Sequence, residues 1–76
     1  MAVKAYILVN IVSTNLPGAL KDIGAIKGVS FVDAVTGPYD AIVKMQTPDM
    51  DELGRLITTK LLKVKGVEKT LTCVSV

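Results

Sequence analysis

Apolar residues divide the chain into two similar halves, and each half has the pattern of a strand, a helix and a second strand. The tetrapeptide Ile26-Lys27-Gly28-Val29 recurs 38 positions later as Val64-Lys65-Gly66-Val67. In both halves, apolar residues at helical spacing precede this tetrapeptide, and a segment with the pattern of a β-strand follows it. The pattern predicts strands over residues 4–12, 29–36, 39–46 and 67–76, and helices over residues 17–27 and 49–65.

Both predicted helices carry one apolar stripe. Apolar residues recur every three or four positions, at Leu16, Leu20, Ile23 and Ile26 in the first helix and at Leu53, Leu56, Ile57, Leu61 and Val64 in the second. Charge marks the ends of the second helix as the helix dipole favours, with Asp49, Asp51 and Glu52 first and Lys60, Lys63 and Lys65 last. Gly28 and Gly66 are expected just past the helix ends, where glycine adopts a left-handed conformation without steric penalty.

This order of elements predicts an α+β fold of the ferredoxin-like βαββαβ type. Right-handed crossovers place the first and third strands at the centre of a four-stranded antiparallel sheet, with both helices on one face. Residues 1–76 are expected to form a single domain, because a chain this short supports one small core.

The first strand predicts that the sheet is covered on both faces. Residues 5–12 are almost continuously apolar. A strand in a sheet with one solvent-exposed face would instead alternate apolar and polar residues. The helices cover one face, so the other is expected to meet a second copy of the chain. Composition agrees, since 50% of the residues are hydrophobic and 21% are charged, which is more apolar than a small monomer requires.

Composition also argues against several classes of function. The net charge of +2 and the few aromatic residues give no basic or base-stacking surface for direct nucleic-acid binding. The chain has no histidine, and we expect no metal, no cofactor and no catalytic nucleophile. The single cysteine, Cys73, is expected to be a small buried hydrophobe in a reducing, cytoplasmic setting. The first apolar run is too short to span a bilayer, so neither a signal peptide nor a membrane partner is expected.

The predicted hairpin tip over residues 35–41 is the strongest candidate for a site. It combines a flexible Gly37-Pro38 turn with Tyr39 and Asp40. Asp40 has two readings: it accepts a hydrogen bond from a nearby backbone N–H, or it pairs with the ammonium group of a ligand whose carboxylate meets N–H groups near Gly37. Both readings remain open, and Tyr39 favours packing over ligand contact.

For the remaining polar candidates, the sequence favours structural roles over ligand binding. Thr70 and Thr72 share one face of the last strand, where β-branched residues are common. Asp33 lies in an edge strand, where an acid discourages pairing with other chains. The lysines at the end of the second helix fit its dipole, and Glu68 is expected at an exposed position.

The tip and the segments after it resemble the effector-binding domain of Lrp/AsnC transcriptional regulators. The resemblance covers nearly the whole chain and depends on the Gly-x-Tyr-Asp hairpin, Gly66-Val67 and Thr70-Leu71-Thr72. It implies dimers paired through their sheets, assembly to octamers, and an amino acid effector bound where dimers meet. The ligand-binding residues that it implies are Thr36, Gly37, Tyr39, Asp40, Thr70 and Thr72. Those regulators carry an N-terminal helix-turn-helix for which this chain has no room, so it resembles stand-alone members, which act alone or pair with full-length regulators.

A shorter segment, Asn15-Leu16-Pro17-Gly18-Ala19-Leu20-Lys21-Asp22-Ile23, resembles the Asp-x-Pro-Gly-x-Leu loop of ACT regulatory domains. That resemblance implies amino acid binding at the first strand-helix loop, although Asn15 stands where that family has aspartate. The segment also suits a helix start, with Asn15 or a neighbour as the cap. A small enzyme on a dimeric α/β barrel and a purely structural partner module are further alternatives. The favoured prediction is a non-enzymatic amino acid sensor.

Overall fold

A computed structural model describes residues 2–76 and contains four strands and two helices in the predicted order. The strands are β1 (Val3–Ile11), β2 (Val29–Ala34), β3 (Ala41–Thr47) and β4 (Val67–Val74), and the helices are α1 (Leu16–Gly24) and α2 (Met50–Thr59). Short 3₁₀ turns at Ser13–Asn15 and Leu61–Lys63 precede α1 and follow α2. The strands pair antiparallel in the order β2-β3-β1-β4, which confirms the ferredoxin-like prediction.

The hydrophobic core lies between one face of the sheet and the two helices. Alternate residues of the central strands are buried there: Ala5, Ile7, Val9 and Ile11 in β1, and Ala41, Val43 and Met45 in β3. The helices and the turn after α2 contribute Ala19, Ile23, Leu53, Leu56 and Leu61. The predicted stripes therefore face the sheet, and Ala19 joins them because it is one helical turn from Ile23.

The opposite face of the sheet is uncovered in a single chain. We call it the open face, formed by Lys4, Tyr6, Leu8, Phe31, Asp33, Ile42, Lys44, Leu71 and Cys73. Its apolar residues are partly exposed, with Phe31 at 44% and Leu71 at 47%. Covering of this face by a second copy stays a prediction. Cys73 lies here, opposite Tyr6 on the edge strand β4, and is exposed, so the prediction of a buried cysteine is wrong.

The repeated tetrapeptide forms a repeated β-turn, and the prediction that its glycines follow a helix end directly is wrong. The N–H of Val29 donates to the carbonyl of Ile26 at 3.1 Å, and that of Val67 donates to Val64 at 3.2 Å. Gly28 and Gly66 are the third residues of these turns, with φ of +94° and +100°. Each turn needs a residue that tolerates positive φ at this position, which explains why glycine occupies both.

Helix α2 begins as predicted but ends six residues early. Asp49 caps it by accepting a hydrogen bond from a backbone N–H of the first turn at 2.8 Å. At the other end, the hydroxyls of Thr58 and Thr59 donate to carbonyls of the preceding turn at 3.0 and 2.6 Å. Such bonds compete with the helical ladder, and β-branched residues also weaken a helix. Lys63 and Lys65 therefore lie beyond the helix that they were expected to close.

The start of β1 and the end of β4 lie side by side. The N–H of Ser75 donates to the carbonyl of Lys4 at 2.8 Å. The loop between β2 and β3 lies at the other end of the sheet, because Ala41 pairs with Val9 near the end of β1.

We expect Gly28→Ala to lower the free energy of unfolding by about 1–2 kcal/mol, because an L-residue is strained at positive φ. The added Cβ would also lie 3.3 Å from the carbonyl oxygen of Gln46. Gly54→Ala is the matched control. It lies within α2 with no atom within 4 Å of the added Cβ, so alanine should raise stability by about 0.5–1 kcal/mol. Urea unfolding measures both, and a neutral Gly28→Ala would contradict the constraint on the turn.

Candidate functional site

The loop between β2 and β3, residues 35–40, is held against the end of β1. The N–H of Val35 donates to the carbonyl of Asp40 at 2.9 Å and closes the loop. The N–H of Asp40 donates to the carbonyl of Val9 at 2.9 Å, and the side-chain amide of Asn10 donates to the carbonyl of Pro38 at 2.8 Å. The loop is therefore part of the sheet's end and has a defined position relative to β1.

The carboxylate of Asp40 extends the pairing of β1 and β3 past the last paired residues. Its Oδ2 accepts the N–H of Ile11 at 2.7 Å, and the residue is half-buried. The bond takes the place of a carbonyl that β3 would supply if it began two residues earlier. Asp40 therefore accepts a hydrogen bond from a backbone N–H, as one of the two interpretations predicts, but the donor lies on β1 and not in the turn. The bond uses one of the two carboxylate oxygens.

A polar cleft of about 400 Å³ lies beside this carboxylate, lined by Asn10, Asp40, Glu68 and Lys69. It brings two carboxylates together with one ammonium and one amide. Lys69 lies at the cleft as the paired residue of Asn10. Glu68 is the extra residue of a bulge, since Ile11 pairs with Val67 while Asn10 pairs with Lys69. Neither residue was predicted as a site residue, and for Glu68 the reason is that an alternating strand pattern gives no signal for a bulge.

An apolar pocket, also of about 400 Å³, lies on the open face beneath the loop. Its lining consists of Leu8, Val35, Thr36, Gly37, Pro38, Tyr39 and Ile42. The surface that lines the pocket is almost entirely apolar. Three of the predicted site residues, Thr36, Gly37 and Tyr39, therefore come together in a pocket suited to a hydrocarbon group.

Thr70 and Thr72 lie on the other face of the sheet. They pair with Val9 and Ile7, whose side chains point to the helices, so both threonines share that direction. Within one chain, the predicted site residues thus separate into three groups: the apolar pocket, Asp40 in the polar cleft, and the two threonines on the helix side.

The first strand-helix loop has a structural role for its key residue. The side-chain amide of Asn15 donates to the carbonyl of Lys65 at 2.7 Å, which ties the start of α1 to the turn before β4. Asn15 stands at the N-cap position, but its side chain makes no capping hydrogen bond.

Within residues 2–76, no three residues among His, Cys, Asp and Glu are grouped so as to hold a metal ion. The helices of that same stretch are also too short and too polar to cross a membrane.

Comparison with known families gives one clear match. The family described as the Lrp/AsnC ligand binding domain matches residues 4–76. An uncharacterized HTH-type transcriptional regulator of Pyrococcus horikoshii is 36% identical over 55 residues, which cover 72% of this chain and 37% of the regulator. The chain therefore spans little more than a third of this curated relative.

Solved structures with a similar fold also match this chain. The crystal structure of FFRP-DM1 has a TM-score of 0.92 and 28% identity, and the match covers 97% of this chain and 99% of that one. A transcriptional regulator of Neisseria meningitidis, solved in complex with L-Met, has a TM-score of 0.80 at 19% identity over 97% of this chain and 49% of its own. The second similarity shows the fold alone.

We expect Asp40→Ala to lower the free energy of unfolding by about 1–3 kcal/mol, because the N–H of Ile11 loses its acceptor in a partly buried position. Asp40→Asn keeps an acceptor oxygen and should lose clearly less. Urea unfolding and hydrogen exchange at the Ile11 amide measure the difference. Equal losses in the two variants would contradict a structural role for this hydrogen bond.

Proposed function

This chain belongs to the Lrp/AsnC ligand-binding domain family, and from that premise we propose that it is an amino acid effector-binding and oligomerisation module. A regulatory ligand-binding domain of this family is not an enzyme. In our proposal the module acts in the control of transcription or of amino acid metabolism. It does so as a homodimer that assembles further, alone or together with full-length regulators of the same family.

The observation that carries the proposal is the pairing of a polar cleft with an apolar pocket at one end of the sheet. A free amino acid has an ammonium, a carboxylate and a side chain. The carboxylates of Asp40 and Glu68 suit the ammonium, and the Lys69 ammonium suits the carboxylate. The pocket next to them suits an apolar side chain. The two recesses are neighbours because Asn10, which lines the cleft, bonds Pro38, which lines the pocket.

Association between subunits is the second part of the proposal. Both recesses are open to solvent in one chain. Thr70 and Thr72, on the helix side, would reach the same ligand only from a neighbouring subunit. A ligand bound by two subunits stabilises their association by mass action, so that occupancy is coupled to assembly. The open face supplies the apolar surface for a dimer.

The Neisseria meningitidis regulator supports an amino acid as the class of ligand, since its structure contains L-Met and its fold matches this chain. The pocket does not select one amino acid by itself, because a neighbouring subunit would add to its lining.

We expect at least one of the twenty amino acids to raise the melting temperature. An amino acid at about 100 times its Kd adds about 2.7 kcal/mol of stability, which is several degrees for a domain of this size. Size-exclusion chromatography with light scattering, run with and without that amino acid, should show a change in assembly. A flat panel together with constant assembly would contradict effector binding.

We expect both charges of the ligand to be required. The N-acetyl derivative and the amide of the amino acid that binds should each give little or no thermal shift. Asp40→Asn should also remove the shift while keeping the fold. Asp22→Asn, an exposed acid on α1, is the matched control and should leave the shift unchanged. A full shift with Asp40→Asn would exclude this carboxylate from the ligand site.

A further inference from the structure

Lys44 is a charged residue at the centre of the apolar open face. It lies on the central strand β3, paired with Tyr6 of β1 on one side and Phe31 of β2 on the other. Its Nζ is 5.9 Å from the centroid of each ring. The side chain is half-buried, and the two aromatic rings attract the ammonium through their electron-rich faces. Its position is therefore set by the sheet.

Within residues 2–76, the Lys44 ammonium has no carboxylate partner. The ion pair found in that range joins Arg55 and Glu52 on α2. A charge enclosed in an interface loses its water, and two ring contacts do not replace an anionic partner. Any molecule that covers the open face must therefore present a carboxylate or comparable acceptor opposite Lys44, or association is weakened.

The same face carries one such carboxylate, at Asp33. This residue lies on β2, opposite Ile42 and two positions from Phe31, so its side chain points to the open face. Among the described strand positions that share the direction of Tyr6, it is the single acid. It is exposed. The face thus holds a central cation and a nearby anion within an apolar surround.

We propose that the occupant of the open face is a second copy of this chain, and that Lys44 of each copy pairs with Asp33 of the other. In a two-fold interface every contact occurs twice, so one cation and one anion on the same patch are sufficient for mutual complementarity. Tyr6, Phe31 and Leu71 supply apolar surface to bury around the two pairs. This inference rests on the self-association in the proposed function and adds the residues that select the partner.

The pairing gives the face a means of discrimination. A related domain that lacks an acid at the position of Asp33 would leave the Lys44 of this chain without a partner in a mixed dimer. A basic residue at that position would face Lys44 with a like charge, which is strongly unfavourable across an interface. Lys44 and Asp33 would therefore favour self-pairing over pairing with other members of the family.

Charge reversal in two separate proteins tests the contact. Lys44→Glu and Asp33→Lys each place like charges opposite each other, so each variant alone should have a dimer dissociation constant raised by at least about tenfold. When the two variants are mixed, both cross-subunit pairs again join opposite charges. Sedimentation velocity of the mixture should then show dimer formation close to that of the unmodified chain.

The mixture separates this contact from any pairing within one chain, because each variant keeps its own like charges after mixing. Lys4→Glu is the matched control: an exposed lysine at the outer end of the same face, whose reversal should change the dissociation constant little. A mixture that stays dissociated, or a Lys4→Glu loss equal to that of Lys44→Glu, would overturn the Lys44–Asp33 contact alone. An unmodified chain that is monomeric at all concentrations would overturn the proposed self-association as well.

Discussion

The strict alternation of side chains along β1 determines the two surfaces on which everything else depends. Ile7 and Val9 point into the core under the helices, while Tyr6 and Leu8 point to the open face. A slip of one residue would exchange the faces and bury Lys4 and Asn10, so the register is strongly fixed. Because β1 pairs with β3 on one side and with β4 on the other, its register also determines which residues of those two strands face the core. The core and the candidate docking surface are thus two results of one strand's geometry.

The Asp40–Ile11 hydrogen bond shows how a residue can combine structure with recognition. The carboxylate completes the ladder where β3 has not yet begun, and it holds the loop against β1. The apolar pocket lies beneath this loop, and the polar cleft lies beside the Asp40 carboxylate. A carboxylate has two oxygens, so a backbone bond through one is compatible with the ligand contact that we propose through the other. The two roles predicted for Asp40, a backbone hydrogen bond and a contact with a ligand ammonium, are therefore not mutually exclusive.

Much of the fold was predictable because it depends on periodicity, whereas the details that shape the site depend on local hydrogen bonds. The helical stripes and the repeated Lys-Gly-Val step gave the order of elements and the sheet topology. The repeat did not reveal that Gly28 and Gly66 belong to turns, since a turn and a helix end both favour glycine at positive φ. The early end of α2 follows from hydroxyl bonds of Thr58 and Thr59, which a stripe of apolar residues does not record. For the candidate site, the hairpin tip indicated the loop between β2 and β3, whereas Glu68 enters the cleft at a bulge that only the pairing of β1 with β4 defines.

The bond between Ser75 and Lys4 places the first and last strand residues together, at the far end of the sheet from the cleft. A domain or fusion partner joined at either terminus would therefore emerge about 27 Å from the effector site that we propose, the length of a nine-residue strand. Such a partner would not contact the ligand directly. Any signal would have to pass through β1 or through a change in how subunits are arranged, and rearrangement of rigid subunits carries a signal over that distance without distorting the strand.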